Sequence, residues 1–286
     1  MQITHSVAQL DAALAAPHKD SRRVALVPTM GNLHAGHLAL VARARREAPC
    51  VVVSIFVNPL QFGPGEDFSR YPRTLEEDCR KLGDAGVDVV FAPAVEDMYP
   101  NGYPPATVVH VAGPLADHLE GAFRPGHFDG VATVVTTLLN RVRPDVAVFG
   151  EKDWQQLQVI RRLVSDLGTT VEILGEAIVR DADGLALSSR NQYLSAAERA
   201  IAPKLHAGLQ TVADALETGR RDFAELCREQ MAHLTAARFL PQYIEIRRPD
   251  LSAPTPSDTE FVVLVAAWLG KTRLIDNVRA TTARTS

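Results

Sequence analysis

The sequence predicts an α/β fold: a parallel sheet flanked by helices, followed by a smaller C-terminal α+β domain. Three observations carry that prediction. Short, mostly apolar runs at Val24–Val27, Cys50–Val57 and Pro144–Gly150 alternate with helix-length segments. Such runs fit strands buried on both faces, as parallel strands are. Each of these runs is followed by a polar or glycine-containing junction, the edge where open α/β sheets bind ligands. Beyond residue 196 the texture changes to two long helical patterns and then three strand-like runs.

Taken in order, residues 1–20 predict a short strand or extended arm and a first helix, with Pro17 near its end. Val24–Val27 is the first core strand, and apolar positions at 37/38, 41, 44 and 48 predict a helix over about 37–48. Cys50–Val57 completes a βαβ unit, whose crossover is expected to be right-handed. A helix at about 74–85 leads to a short strand at Val87–Phe91. Residues 94–118 contain Pro100, Pro104, Pro105 and Pro114 and predict a wandering edge segment, with Val108–Val111 as a short edge strand. Gly121–Gly130 is turn-rich and Val131–Leu139 predicts a helix on the sheet. Pro144–Gly150 is a strand, followed by a helix to about Leu167 and a last main-sheet strand at Val171–Leu174. Asp181-Ala182-Asp183-Gly184 is a turn. Helices are expected near 196–217 and 222–237, strands at Tyr243–Ile246, Phe261–Ala267 and Lys271–Asn277, and a loose tail at Ala280–Ser286.

The junctions concentrate the chemistry. Pro28-Thr29-Met30-Gly31-Asn32-Leu33-His34-Ala35-Gly36-His37 joins the first core strand to its helix. Histidines three apart in the first helical turn point the same way, beside unpaired N–H groups and the positive end of the helix dipole. That arrangement suits a phosphate. A helix cap with two incidental histidines is the competing reading, and no neighbouring Cys/His cluster completes a metal site. After the second strand, Asn58-Pro59-Leu60-Gln61-Phe62 offers amides for hydroxyl or carbonyl groups. Arg124 and His127 could close over an anion or belong to a solvated loop. After Gly150, the run Glu151-Lys152-Asp153-Trp154-Gln155-Gln156 offers a cation for phosphate, an acid for Mg²⁺ and an amide for an organic substrate. Ser188-Ser189-Arg190 fits a phosphate-binding loop, with a Ser-rich helix cap as its alternative.

Composition narrows the class. The net charge of −4 over 286 residues gives no reason to expect nucleic-acid binding. Cys50, Cys79 and Cys227 are widely separated, without disulfide or zinc spacing, and suit a reducing compartment. No run approaches a membrane span and the N-terminus does not resemble a secretory signal, so a cytoplasmic enzyme is expected.

These motifs together resemble the pantothenate synthetases, or pantoate–β-alanine ligases, within the HIGH-motif adenylyl-transferase superfamily. The resemblance runs through nearly all of residues 1–279. It rests on the Pro28–His37 signature, Phe56–Phe62, Tyr71-Pro72-Arg73, Phe149–Gln156 and Gly184–Asn191, in that order. It implies a Rossmann-like domain binding ATP and pantoate over 1–178 and a smaller α+β lid domain over 179–286. The implied reaction forms pantoyl-adenylate and pyrophosphate; β-alanine then attacks to give AMP and pantothenate, a coenzyme A precursor. The resemblance assigns Met30, Gly31, Asn32, Leu33, His34, Ala35, Gly36 and His37 to the nucleotide, with His37 the customary proton donor. Here a broader electrostatic role for His37 is expected. Gly150, Glu151 and Lys152 continue the nucleotide site, with Lys152 on the phosphates. Asp153 is the Mg²⁺ contact. Backbone at Val179 reads the adenine, Leu187 is a further nucleotide contact, and Ser188, Ser189 and Arg190 grip phosphate. Gln61 and Gln156 hold pantoate, and Leu33 with Val131, Val134 and Val135 forms an apolar wall for its methyls. His37, Lys152, His34 and Arg190 are the expected catalytic set. A homodimer is also implied. The main alternative is a nucleotidyltransferase acting on a phosphate-bearing acceptor; a nonenzymatic nucleotide-binding module is the other.

Overall fold

The computed structural model describes residues 1–282. The chain forms two compact units. The first is Met1–Glu151 with Val159–Ala177; the second is Lys152–Gln158 with the chain from Ile178.

The first unit is built on six parallel strands in the order β1-β4-β3-β2-β5-β6. They are β1 (Gln2–Thr4), β2 (Val24–Thr29), β3 (Cys50–Ile55), β4 (Val89–Phe91), β5 (Val146–Gly150) and β6 (Glu172–Glu176). From β2 the chain steps outward through β3 to β4, then returns to lay β5 on the other side of β2. That reversal opens a crevice at the carboxyl ends of β2 and β5. The continuous apolar runs predicted as core strands are buried: Val24 through Val27, and Val51 through Val53, are at most 1% exposed.

Helices α1 (Val7–Lys19), α2 (Ala35–Glu47) and α3 (Leu75–Asp84) connect the strands, and three one-turn helices follow: α4 (Val95–Met98), α5 (Pro114–Asp117) and α6 (Glu120–Phe123). Ser6 caps α1, its hydroxyl accepting from the Gln9 N–H. Helix α7 (His127–Val142) begins four residues earlier than the sequence suggests. Its buried positions include His127, Phe128 and Gly130, so the turn-rich Gly121–Gly130 segment is partly helical core. Val108–Val111 is not a strand. Its backbone donors are taken by side chains of α7: Val109 N–H donates to Thr133 Oγ1 at 2.9 Å and Val111 N–H to Asp129 Oδ1 at 2.8 Å. Helix α8 (Trp154–Asp166) follows β5.

The second unit packs helices on an antiparallel sheet, β7 (Phe239–Arg247), β8 (Glu260–Leu269) and β9 (Thr272–Thr281), in chain order. The helix expected over 196–217 is two, α9 (Ala196–Ile201) and α10 (Lys204–Glu217). Pro203, which lacks an N–H, separates them. Helix α11 (Phe223–Ala236) completes the layer. Leu205, Leu209 and Leu216 of α10 meet Phe261, Val263 and Val265 of β8 in a common core. Burying each such large side chain contributes about 1.5–3 kcal/mol. Ala280 and Thr281 pair with Phe261 and Glu260. The predicted loose tail therefore begins in a strand, and its residues 283–286 lie outside the described residues. Among the described residues no helix is long and apolar enough to cross a membrane.

Candidate active site

In the first unit, β2 hands over to α2 through the sharp loop Met30–Leu33. Gly31 and Asn32 both have positive φ, 84° and 52°. Gly31 suits that backbone, and a Cβ there would lie 3.1 Å from Asp78 Oδ2 and from Ile55 Cγ2. The loop is fastened from α3. The fully buried Asp78 carboxylate accepts from the Asn32 and Leu33 N–H groups, both at 2.8 Å, and from Thr74 Oγ1 at 3.0 Å. Lys81 Nζ donates to the Leu33 carbonyl at 2.7 Å. Leu33 itself is 2% exposed and belongs to the sheet core with Val27 and Val41, so its side chain is core and not a wall facing a ligand.

His34 is the N-cap of α2 and His37 lies in its first turn. His34 Nδ1 accepts from the Gly36 N–H at 3.2 Å, and His37 Nδ1 accepts from the His34 N–H at 3.3 Å. The rings lie 4.1 Å apart between centroids. A ring nitrogen that accepts carries no proton, so each neutral imidazole bears its hydrogen on Nε2. The cap reading is met, since each Nδ1 secures a backbone N–H at the helix start.

At the end of β3, Asn58 is 1% exposed and its amide organises the following turn. Its Nδ2 donates to Gln61 Oε1 and to the Gly130 carbonyl, both at 3.0 Å. Its Oδ1 accepts from Tyr99 Oη at 2.7 Å. Gln61 Nε2 points to Met30 Sδ at 3.5 Å, joining the two junctions. The Gln61 carbonyl is held by His127 Nδ1 at 2.8 Å and by Arg124 Nη2 at 3.2 Å.

Arg124 and His127 do not form an open anion site. Arg124 makes a bidentate pair with Glu66, Nε to Oε1 at 2.8 Å and Nη2 to Oε2 at 2.7 Å, and also reaches His127 Nε2 at 3.0 Å. Burial raises the Glu66 pKa, but the hydrogen bonds and charge of Arg124 outweigh it and leave the carboxyl below its ordinary value. Burial, then the Arg124 charge, lowers the His127 pKa to about 4. His127 is thus a neutral link, donating from Nδ1 and accepting at Nε2.

Directly after β5, Glu151–Asp153 forms a short 3₁₀ turn, with Lys152 the first residue of the second unit. The Lys152 side chain is 19% exposed and its Nζ lies 3.9 Å from Asp153 Oδ2; the Asp153 side chain is 48% exposed. Gln156, two residues into α8, is half-buried, whereas Gln155 is buried. The predicted turn Asp181–Gly184 is present, with Gly184 at φ 92° and its N–H donating to the Asp181 carbonyl. It closes a hairpin in which Leu187 N–H donates to the Val179 carbonyl at 2.9 Å. The hairpin delivers Ser188, whose Oγ accepts from the Arg190 N–H at 3.3 Å and caps the 3₁₀ turn Ser189–Tyr193. Ser195, a further cap, starts α9 with Glu198 as its reciprocal partner.

Among the described residues no group of three or more His, Cys, Asp or Glu side chains could hold a metal. An exposed carboxylate beside a lysine fits a Mg²⁺ ion that arrives with nucleotide phosphates, since Mg²⁺ usually takes one or two carboxylates plus phosphate and water.

Sequence reading missed Asp78 and the true partners of Asn58, Arg124 and His127. Asp78 had one signal: it sits four residues before Leu82, on the apolar stripe of an amphipathic helix, where a carboxylate needs donors.

A parallel sheet with a histidine pair capping the helix at its switch point defines an adenylyl-transferase of the HIGH-motif class. The comparisons narrow this. A family model described as pantoate–β-alanine ligase matches residues 2–279. Pantothenate synthetases of Thioalkalivibrio sulfidiphilus and Stutzerimonas stutzeri are 56% and 55% identical over 279 residues, covering 97% of each chain. The crystal structure of pantothenate synthetase from Thermus thermophilus matches with a TM-score of 0.91 at 51% identity, over 97% of this chain and 99% of that one. The Francisella tularensis ligase, described as complexed with β,γ-ATP and β-alanine, matches with a TM-score of 0.83 at 34% identity, over 97% of each chain. The chain belongs to the pantoate–β-alanine ligase family. It is an AMP-forming ligase that joins pantoate and β-alanine through an adenylate to give pantothenate.

Proposed function

We propose that the strand-to-helix junctions and the Val179–Arg190 loop supply the substrate contacts of this reaction. The observation that carries the reading is the placement of the histidine pair at the start of α2, with both Nδ1 atoms facing backbone N–H groups. With both Nδ1 atoms accepting from backbone N–H groups, His34 and His37 offer two Nε2–H donors at the positive end of α2. Their role is electrostatic: they donate hydrogen bonds to ATP oxygens that gain charge as pyrophosphate departs. Met30, Gly31, Asn32, Ala35, Gly36, Gly150 and Glu151 border the nucleotide, with Val179 and Leu187 on the adenine. Lys152, Ser188, Ser189 and Arg190 contact phosphate, and Asp153 meets the Mg²⁺ that accompanies ATP as substrate. Bound there, Mg²⁺ would offset phosphate charge. Gln61 and Gln156 hold pantoate.

In the first step a pantoate carboxylate oxygen attacks the α-phosphorus and the bond to pyrophosphate breaks. In the second, the neutral β-alanine amine attacks the acyl carbon, AMP leaves, and the amine loses a proton. Two anions must meet in the first step, which is why cationic and N–H groups dominate the assigned set. We further infer a cytoplasmic homodimer that binds neither nucleic acid nor membrane, supported by the net charge of −4 and by family membership.

Product analysis with ATP, Mg²⁺, pantoate and β-alanine tests the reading. Pantothenate and AMP are expected, with pantoate-dependent ATP–pyrophosphate exchange when β-alanine is left out. Folded protein that transfers AMP or CMP to a phosphate-bearing acceptor, and makes no pantothenate, would overturn it.

A further inference from the structure

Two adjacent residues of β9, Asp276 and Asn277, are each 3% exposed, yet both are polar. Their partners across the sheet are Val265 and Leu264. An apolar pair would pack there at least as stably if packing were the only requirement, since buried charged networks are often no more stable than hydrophobic replacements. What the pair does instead is visible in its bonds. Asp276 takes the Arg180 guanidinium bidentately, Nη1 to Oδ2 at 2.7 Å and Nη2 to Oδ1 at 3.0 Å. The same guanidinium donates to the Gly184 carbonyl at 3.1 Å and to the Asn277 carbonyl at 3.0 Å. Arg180 thereby braces the hairpin that runs through the Arg180–Ala186 bridge to Ser188. In the other direction, Asn277 Nδ2 donates to the Lys152 carbonyl at 3.0 Å. Asp276 Oδ1 also accepts the Asn277 N–H at 2.8 Å, which joins the two grips.

The Lys152 segment is tied to this unit at two more points. Trp154 Nε1 donates to the Pro249 carbonyl at 3.0 Å, and the Arg279 guanidinium lies over the Trp154 ring at 5.6 Å. The covalent continuation of β5 is thus anchored on the sheet of the second unit.

We propose that Asp276 and Asn277 are positioning residues that fix the Lys152 turn and the Val179–Arg190 loop relative to one another, so that the phosphate contacts form one rigid set. The proposal rests on the reading that Lys152 and Ser188–Arg190 act on ATP phosphates. Asn277 acts through Lys152, and Asp276 acts through Arg180 on the loop. Neither touches substrate.

The test is pantoate-dependent ATP–pyrophosphate exchange in single and double variants of the full chain, with thermal unfolding alongside. Asn277→Ala removes the bond to Lys152 and leaves the backbone carbonyl that Arg180 uses. It should lower the exchange kcat roughly tenfold, the worth of one hydrogen bond realised at the transition state, with the pantoate KM within about twofold. In a Lys152→Ala background, Asn277→Ala should have no further effect, whereas Asp276→Asn should still slow exchange. A purely structural role predicts losses that multiply in both backgrounds, and that result overturns the proposal. If Asn277→Ala does not fold, Asn277→Leu keeps about the size and removes the donor without adding charge; normal exchange in that variant overturns the proposal equally. A Lys152→Ala enzyme with wild-type exchange would sink the underlying reading of Lys152. A slow Lys152→Ala beside an unaffected Asn277→Ala would sink only the positioning proposal.

Discussion

Asp78→Asn separates the clamp on the histidine loop from general helix stability. The carboxylate is fully buried and accepts three bonds, from Asn32 N–H, Leu33 N–H and Thr74 Oγ1. In the amide, one oxygen becomes an NH₂ group. The Thr74 hydroxyl can rotate to accept, but one of the two backbone N–H groups then faces a donor. A buried orphan donor and the lost charge assistance together cost about 2–4 kcal/mol. Asn32 makes the loop sensitive, because a non-glycine residue at φ 52° holds that backbone only under constraint. Relaxation of Asn32 would move His34 and His37, and misplacement by about 1 Å can cost on the order of a hundredfold in rate. Urea unfolding should show the stability loss, and pantoate-dependent exchange at saturating ATP should fall between about tenfold and a hundredfold. A variant that loses the stability but exchanges at the wild-type rate would show that the loop's geometry does not depend on Asp78. A variant as stable as wild type would refute the hydrogen-bond accounting itself.

Three other outcomes follow. His127 has an ordinary pKa of 6.5 and a folded value of about 4, so below 6.5 the unfolded chain takes a proton that the folded chain refuses. Stability is then unaffected above pH 7 and lost as pH falls from 6.5 toward 4, by roughly 2 kcal/mol at pH 5. Urea midpoints should show that loss, and His127→Asn should remove it; an equal loss in the variant would assign the acid sensitivity elsewhere. Gly130→Ala would place a Cβ 2.3 Å from the Leu60 carbonyl oxygen and 2.7 Å from Gln61 N, both backbone atoms that cannot step aside. Stability should fall by about 1–3 kcal/mol and the pantoate KM should rise roughly tenfold as Gln61 shifts; an unchanged KM would detach Gln61 from pantoate. Gln156→Ala should raise the pantoate KM while sparing ATP, and identical pantoate saturation curves would count against its assigned role.

The sheet was legible because parallel strands, buried on both faces, leave continuous apolar runs such as Val24–Val27 and Val51–Val53, too short for helices and set between helix-length segments. The strand-to-helix junctions were legible because they carry glycine and polar groups between apolar runs. What stayed hidden were partners distant in sequence. Val109 and Val111 have strand-like composition, but their N–H groups go to Thr133 and Asp129, and composition does not reveal who accepts. Arg124 looks like an anion hook until Glu66, 58 residues earlier, is seen to fill it. The split between α9 and α10 was within reach, since Pro203 was in plain view; helical periodicity on both sides masked it.

The histidine pair shows why a single motif divides its meaning between scaffold and chemistry. As acceptors, the two Nδ1 atoms satisfy N–H groups that any helix start leaves unpaired. That structural duty fixes the tautomer, and the tautomer determines that each Nε2 is a donor. Replacing His34 by the more usual cap residues Ser, Asp or Asn would satisfy the helix equally well. None of them can accept from backbone with one atom of an imidazole and present an N–H donor on the far side of the same ring. On the proposed role the requirement for histidine comes from the ligand side of the ring, while its precision comes from the helix side, held in turn by the buried Asp78 carboxylate through Asn32 and Leu33 just upstream.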